Sequence, residues 1–125
     1  MDNRAWHEPI VNYVVSSILR KYPSDISGYR LERSILRNRI PCVRVFCQGD
    51  LLRVFLIETP STVQRESAIV EWMHAAVSLN AVGARLWIAT PLRHLHAVRA
   101  LLKRFEIDAE LYEYDLPELA AVRDA

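Results

Sequence analysis

The residues best suited to chemistry lie at the two ends of a predicted hairpin. Cys42 is near the start of one β-rich run, and Glu58 and Pro60 follow the end of the next. The connecting residues 48–50 include a glycine and favour a hairpin in which Cys42 lies opposite Leu56. Glu58 then faces the same side as Cys42 at roughly 7–8 Å, with Pro60 next in line. A carboxylate suits a hard cation such as Mg²⁺, whereas a thiol suits Zn²⁺ or Cu⁺.

A second group of residues is basic. Between residues 29 and 53 the acids are only Glu32 and Asp50, although the chain as a whole has a net charge of +1. Such a local excess of arginine could contact nucleic-acid phosphates. An ordinary solvated sheet face would have the same composition. The candidate phosphate-binding residues are Arg30, Arg37, Arg39, Arg44 and Arg53.

Three helices and five strands are needed to position these groups. Hydrophobic spacing and turn residues predict helices over 9–22, 61–80 and from Pro91, and strands over 29–36, 40–47, 51–57, 86–89 and 111–114. Pro117 is expected to open a short C-terminal helix. Ser61 and Gln64 have capping-box spacing for the second helix. Its predicted buried face comprises Val63, Ile69, Val70, Met73, Ala76 and Val77. Two crossover connections imply a mixed sheet in an α/β domain.

The bulk composition restricts the class of protein. At 125 residues, 51% apolar and 25% charged, the chain is expected to form a single globular domain over 1–125. Two cysteines support neither a disulfide scaffold nor a zinc site. No apolar run approaches the ~20 residues of a membrane span, and the first nine residues lack the apolar region of a signal peptide. These features predict a cytoplasmic protein with no membrane partner.

The pattern Pro41-Cys42, a hairpin, and then Glu58-Thr59-Pro60 resembles the Pro-Asp … Glu-x-Lys signature of the PD-(D/E)XK nuclease superfamily. The resemblance implies a restriction-endonuclease-like, three-layer α/β/α fold with a mixed sheet and the element order α-β-β-β-α-β-α-β. It also implies that the family's aspartate and glutamate hold Mg²⁺, and that its lysine positions or activates water.

Two positions of the signature depart from the family. Cys42 stands where the family has aspartate and Pro60 where it has lysine, so only Glu58 carries over, as the single implied metal ligand. A proline has neither charge nor N–H to replace the lysine. The lysine's role is known to migrate to the following helix in this family, which makes Gln64 and Arg65 candidate catalytic residues beside Glu58. Glu8 matches a position where some members place another acid.

Each of these residues also has a purely structural interpretation. Glu58 could be a polar strand end that faces solvent or pairs with an arginine. Cys42 could be a small apolar residue of a half-buried strand. Gln64 could serve only as a helix cap.

Three functions follow from these alternatives. The favoured one is a nuclease-like domain with a degraded metal site, which needs no cofactor and binds DNA, RNA or a protein partner without efficient cleavage. The second is an active endonuclease that uses Mg²⁺ or Mn²⁺ with relocated catalytic residues. The third is a protein-interaction module, for example a homodimer formed through an apolar sheet edge near Trp87.

Overall fold

The computed structural model describes residues 9–22, 28–35 and 40–115. Within these ranges lie the helices α1 (Pro9–Lys21), α2 (Glu66–Ala81) and α3 (Leu95–Arg104), and the strands β1 (Tyr29–Ile35), β2 (Pro41–Cys47), β3 (Asp50–Ile57), β4 (Arg85–Pro91) and β5 (Glu110–Tyr114). A short 3-10 helix, Leu92–His94, precedes α3. The predicted order of elements is confirmed. No helix in the described ranges is long and apolar enough to cross a membrane. Glu8, Arg37, Arg39 and the helix predicted after Pro117 lie outside these ranges.

The five strands form one mixed sheet in the order β1-β2-β3-β4-β5. β1, β2 and β3 are antiparallel neighbours, whereas β3-β4 and β4-β5 are parallel pairs connected through α2 and α3. The predicted α/β class with a mixed sheet is therefore confirmed. The outer strands are β1 and β5, and Trp87 lies on the inner strand β4. The expectation of a sheet edge near Trp87 is wrong.

Helices cover both faces of the sheet. One face packs against α1 through a cluster that includes Val14, Ile18, Phe55 and Ile57. The opposite face packs against α2 and α3 through a second cluster that includes Trp72. Burial on both faces explains the nearly continuous apolar run at the end of β3, because every side chain there meets a helix or a neighbouring strand.

The turn between β2 and β3 is shorter than predicted, yet the predicted register holds at Cys42. Gln48 and Gly49 both have positive φ, +51° and +91°, and form a two-residue turn that pairs Cys47 with Asp50. Positive φ at both central residues is typical of hairpin turns that match the twist of the strands. A bulge then shifts the register between Val45 and Phe46. The shift restores the predicted pairing of Cys42 with Leu56.

Helix α2 presents a different face to the sheet from the one predicted. Ala68, Trp72 and Ala76 are buried, whereas Val70 and Val77 are 56% and 72% exposed. Met73, also predicted to be buried, is 40% exposed. Apolar residues recur at helical spacing on both sides of this helix, so the pattern alone does not distinguish them. Of the six residues predicted to be buried, Val63 and Ala76 are buried and Ile69 is partly buried against the same core, whereas the prediction is wrong for the other three.

The start of α2 also differs from the prediction. The helix begins at Glu66, and its N-cap residue Arg65 makes no side-chain capping hydrogen bond. The predicted capping box of Ser61 and Gln64 is therefore wrong. Residues 60–64 instead form turns that carry the chain from β3 to α2.

Candidate functional site

Glu58 follows directly after the last residue of β3 and extends its pairing with β4. Its N–H donates to the carbonyl oxygen of Ala89 at 2.9 Å, and its own carbonyl oxygen accepts a hydrogen bond from the Tyr114 hydroxyl. The residue has no solvent exposure. The interpretation of Glu58 as a strand end that faces solvent is therefore wrong.

Two donors hold the Glu58 carboxylate. The Thr62 hydroxyl donates to Oε1 at 2.8 Å, and the Trp72 indole N–H donates to Oε2 at 2.9 Å. Burial raises the pKa of Glu58, because the charged form loses water that two donors replace only in part. The hydrogen bonds from Trp72 and Thr62 and the nearby charge of Arg65 oppose this rise, while Glu71 adds to it. On balance the pKa of Glu58 is raised, so this carboxyl group keeps its proton to a higher pH than an exposed glutamate does.

Hydrogen bonds within the connection between Glu58 and α2 hold Thr62 in position to donate to the carboxylate. The Thr59 N–H donates to the Thr62 hydroxyl at 2.8 Å, and the Thr62 and Val63 N–H groups return to the Thr59 carbonyl at 3.1 and 3.0 Å. Short hydroxyl side chains readily form such local bonds to the backbone. The turn thereby fixes the Thr62 oxygen beside the carboxylate.

Arg65 secures the far end of this connection. Its Nε donates to the Thr62 carbonyl at 3.1 Å, and its guanidinium pairs with the buried carboxylate of Glu71 at 3.2 Å. From this position the positive charge of Arg65 lowers the pKa of Glu58. The hydrogen bonds of Arg65 go to Thr62 and Glu71 and not to Glu58. Gln64, the other residue predicted to take over the lysine's role, lies in the turn before α2 and is exposed. Of the three candidate catalytic residues, the structure thus brings Glu58 and Arg65 near each other.

Cys42 and Pro60 are both buried near this strand end. Cys42 faces Ser34 on β1 and Leu56 on β3. Burial raises the pKa of the Cys42 thiol, opposed by the charge of Arg44 and a hydrogen bond with Ser34. The protonated thiol is a poor metal ligand, because metals bind the thiolate. Cys42 behaves here as a small core residue.

The three predicted arginines that lie in the described ranges divide between the two faces of the sheet. Arg30 and Arg44 both pair with Glu32, at 2.7 and 3.5 Å, on the face that α2 covers in part. Arg53 lies on the α1 side, where it donates to the Tyr22 hydroxyl at 2.9 Å. Its guanidinium also lies 5.3 Å from the centre of the Trp87 ring. The structure therefore brings together Arg30 and Arg44 and separates them from Arg53.

Sequence reasoning missed both partners of the Glu58 carboxylate. The predicted buried face of α2 does not include Trp72, and no prediction assigns a role to Thr62. The available signal was the four-residue spacing of Ala68, Trp72 and Ala76. It places one indole N–H between two small side chains on a single helix face. A buried indole N–H generally needs an acceptor, and Glu58 supplies it.

The residues present do not fit the Mg²⁺ site that the family resemblance implies. Mg²⁺ requires several oxygen ligands in octahedral geometry, whereas Glu58 is enclosed and both of its carboxylate oxygens already accept hydrogen bonds. Within residues 9–22, 28–35 and 40–115, no three His, Cys, Asp or Glu side chains are grouped to hold a metal ion. No family model, curated protein or solved structure matches the chain.

Proposed function

We propose that this chain is a nuclease-like domain that binds nucleic acid and does not cleave it efficiently. The observation that carries the proposal is the use of Glu58 as an internal acceptor for Thr62 and Trp72. A buried carboxylate that satisfies two donors stabilises the junction of β3 and α2. The same group is poorly placed to meet a hydrated cation, because it has no solvent-accessible surface. The element order α-β-β-β-α-β-α-β supports the resemblance to the PD-(D/E)XK superfamily.

The binding half of the proposal rests on Arg30 and Arg44. They lie on one face of the β1-β2 pair, and their side chains are 59% and 40% exposed. Each pairs with the carboxylate of Glu32, and exposed pairs of this kind contribute little to stability. A phosphate can therefore replace Glu32 as the acceptor at small cost. Arginine is well suited to this exchange, because its planar guanidinium binds phosphate in a bidentate manner.

Nucleic-acid binding is tested by fluorescence anisotropy with labelled DNA and RNA oligonucleotides over a range of salt concentrations. We expect affinity to fall steeply with salt, and Arg44→Glu to weaken binding at every sequence tested. Arg20→Glu is the matched control, because Arg20 is exposed on α1 and lies in the opposite layer. Binding that is insensitive to salt, or that both substitutions weaken equally, would contradict the proposal.

The second candidate is an active metal-dependent endonuclease that uses Glu58 with Gln64 and Arg65. The observation in its favour is that Thr62 links the two residues, since its carbonyl oxygen accepts from Arg65 at 3.1 Å and its hydroxyl donates to Glu58 at 2.8 Å. Incubation of plasmid DNA with Mg²⁺ or Mn²⁺ distinguishes the two candidates. Cleavage by the wild type that Glu58→Ala abolishes, while circular dichroism shows that the variant is folded, would establish the endonuclease and exclude the non-cleaving domain. We expect no cleavage above that of Glu58→Ala.

The third candidate is a protein-interaction module. It is favoured by the exposed apolar side chains of α2, namely Val70, Met73 and Val77, which follow one another at helical spacing. Light scattering of the purified chain tests self-association through this helix. A stable oligomer that Val77→Lys dissociates, together with no affinity for nucleic acid, would favour this candidate over the first.

A further inference from the structure

The side of the sheet that faces α2 and α3 is covered unevenly. These helices contact β4 and β5, whereas β1 contains no fully buried residue. The strand pairing places Arg30, Phe46 and Leu51 in one row across β1, β2 and β3, and Glu32, Arg44 and Val54 in the next. Charged and aromatic side chains of β1 and β2 therefore adjoin apolar side chains of β3 on a single accessible face.

A cleft lies where this face meets α2. It has a volume of about 630 Å³, within the usual range for ligand sites. Leu51, Val54 and Leu56 line its sheet side, and Val70 and Leu79 line its helix side. Arg44 and His74 also border it, as does Glu71, whose carboxylate is paired with Arg65. The cleft thus combines apolar walls with a cation that is already identified as a phosphate-binding candidate.

Next to the cleft, the Arg30 guanidinium stacks on the Phe46 ring. The Arg30 guanidinium lies 4.1 Å from the centre of the Phe46 ring, and Phe46 pairs directly with the cleft residue Leu51. Arginine planes and aromatic rings are the surfaces on which unpaired nucleic-acid bases stack. Arg30 and Arg44 meet at the shared carboxylate of Glu32. Two guanidinium groups, one aromatic ring and an apolar hollow therefore lie side by side.

We infer that this cleft holds one base of a single-stranded nucleic acid, while Arg44 and Arg30 bind the adjacent phosphates. The inference rests on the proposed nucleic-acid binding and specifies its substrate. A base in a duplex is paired and stacked, so it cannot enter a hollow without first leaving the helix. A base of a single strand presents its flat faces freely, and apolar and aromatic walls accept them with little sequence preference.

The test compares one labelled 12-nucleotide sequence as single-stranded DNA, single-stranded RNA and duplex DNA. Ser78→Trp fills the cleft, since Ser78 lines it and is exposed on α2. Ser67→Trp is the matched control, because Ser67 is exposed on the same helix and does not line the cleft. We expect the wild type and Ser67→Trp to prefer single strands over duplex. Ser78→Trp should weaken single-strand binding by roughly 5- to 150-fold, as for the loss of one stacked base.

Salt dependence separates the base from the phosphates. Ser78→Trp should leave the slope of log affinity against log salt unchanged, whereas Arg44→Gln should reduce that slope by about one. Val70→Trp, from another part of the helix wall, provides a second filling variant if Ser78→Trp does not fold, as judged by circular dichroism. Val70 is itself exposed, so this substitution leaves the core intact.

The outcomes distinguish the inference from the function on which it rests. If Arg44→Gln weakens binding and neither filling variant does, the nucleic-acid function stands and the base site is overturned. Equal affinity for single strand and duplex overturns the base site as well. If no nucleic acid binds at all, both proposals fail and the protein-interaction candidate remains.

Discussion

Replacing Glu58 with glutamine tests the interpretation of this residue as an internal acceptor. The amide keeps the shape of the carboxyl group and cannot ionise. Its oxygen can accept from the Trp72 indole, and its nitrogen can donate to the Thr62 hydroxyl oxygen, so neither partner loses its hydrogen bond. The variant therefore removes the ionisable group and preserves the packing of the junction between β3 and α2.

The expected effect follows from the direction of the pKa shift. Burial raises the pKa of Glu58 above the ordinary value of 4.5, so the folded state keeps a proton that the unfolded state has already released. The protonated group therefore contributes fully to the free energy of unfolding at low pH. This contribution is lost as the pH rises from about 4.5 through the folded-state pKa. In that window one such proton lowers the free energy of unfolding by up to about 1.4 kcal/mol per pH unit. Glu58→Gln should be free of this decline.

Equilibrium urea unfolding between pH 4 and 8, followed by circular dichroism, measures the effect. The free energy of unfolding of Glu58→Gln should rise relative to that of the wild type as the pH increases. Glu113→Gln is the control, because Glu113 is exposed on β5, and its difference from the wild type should stay constant. If the wild type instead gains stability over Glu58→Gln with rising pH, the carboxylate is stabilised in its charged form and the reasoning is refuted.

Three further predictions concern the core, the thiols and the hairpin. Trp72→Phe removes a donor to a buried carboxyl and leaves a space, so it should lower the free energy of unfolding by about 2–4 kcal/mol in chemical denaturation; a change below 1 kcal/mol would contradict the role of the indole. A disulfide reagent should modify Cys47 in the native protein and Cys42 only after unfolding, since Cys42 is buried with a raised pKa; native reactivity that survives Cys47→Ser would count against this. Gly49→Ala should cost about 1–2 kcal/mol in thermal unfolding through backbone strain alone, because φ is +91° and a Cβ there would meet nothing within 4 Å.

The fold was largely predictable because its signals are local. Alternating and continuous apolar runs identified all five strands, and the glycine between β2 and β3 identified the hairpin. The pairing of Cys42 with Leu56 was also correct, although for an incomplete reason. The predicted three-residue loop is a two-residue turn, and the bulge beyond it compensates for the difference. The bulge could not be predicted, since no residue type in this segment requires one.

The surroundings of Glu58 were less predictable, because they depend on how α2 is rotated. Val70, Met73 and Val77 form one apolar stripe, and Ala68, Trp72 and Ala76 form another. The first is richer in large aliphatic side chains and was predicted to be buried. The second faces the sheet, which brings the Trp72 N–H to the Glu58 carboxylate. The sequence pattern reports only the apolar area of each helix face. Which face packs against the sheet also depends on the pairing of a buried donor with a buried acceptor.

The donors to the Glu58 side chain lie only 4 and 14 residues further along the chain, whereas the Tyr114 hydroxyl that binds its carbonyl lies 56 residues away. Short loops close early in folding and distant strands join later. The polar cluster can therefore be complete in the transition state before β5 docks. Stopped-flow measurements should then show that Thr62→Val slows refolding and that Tyr114→Phe mainly speeds unfolding. The reverse pattern would mean that the last strand joins the folding nucleus first.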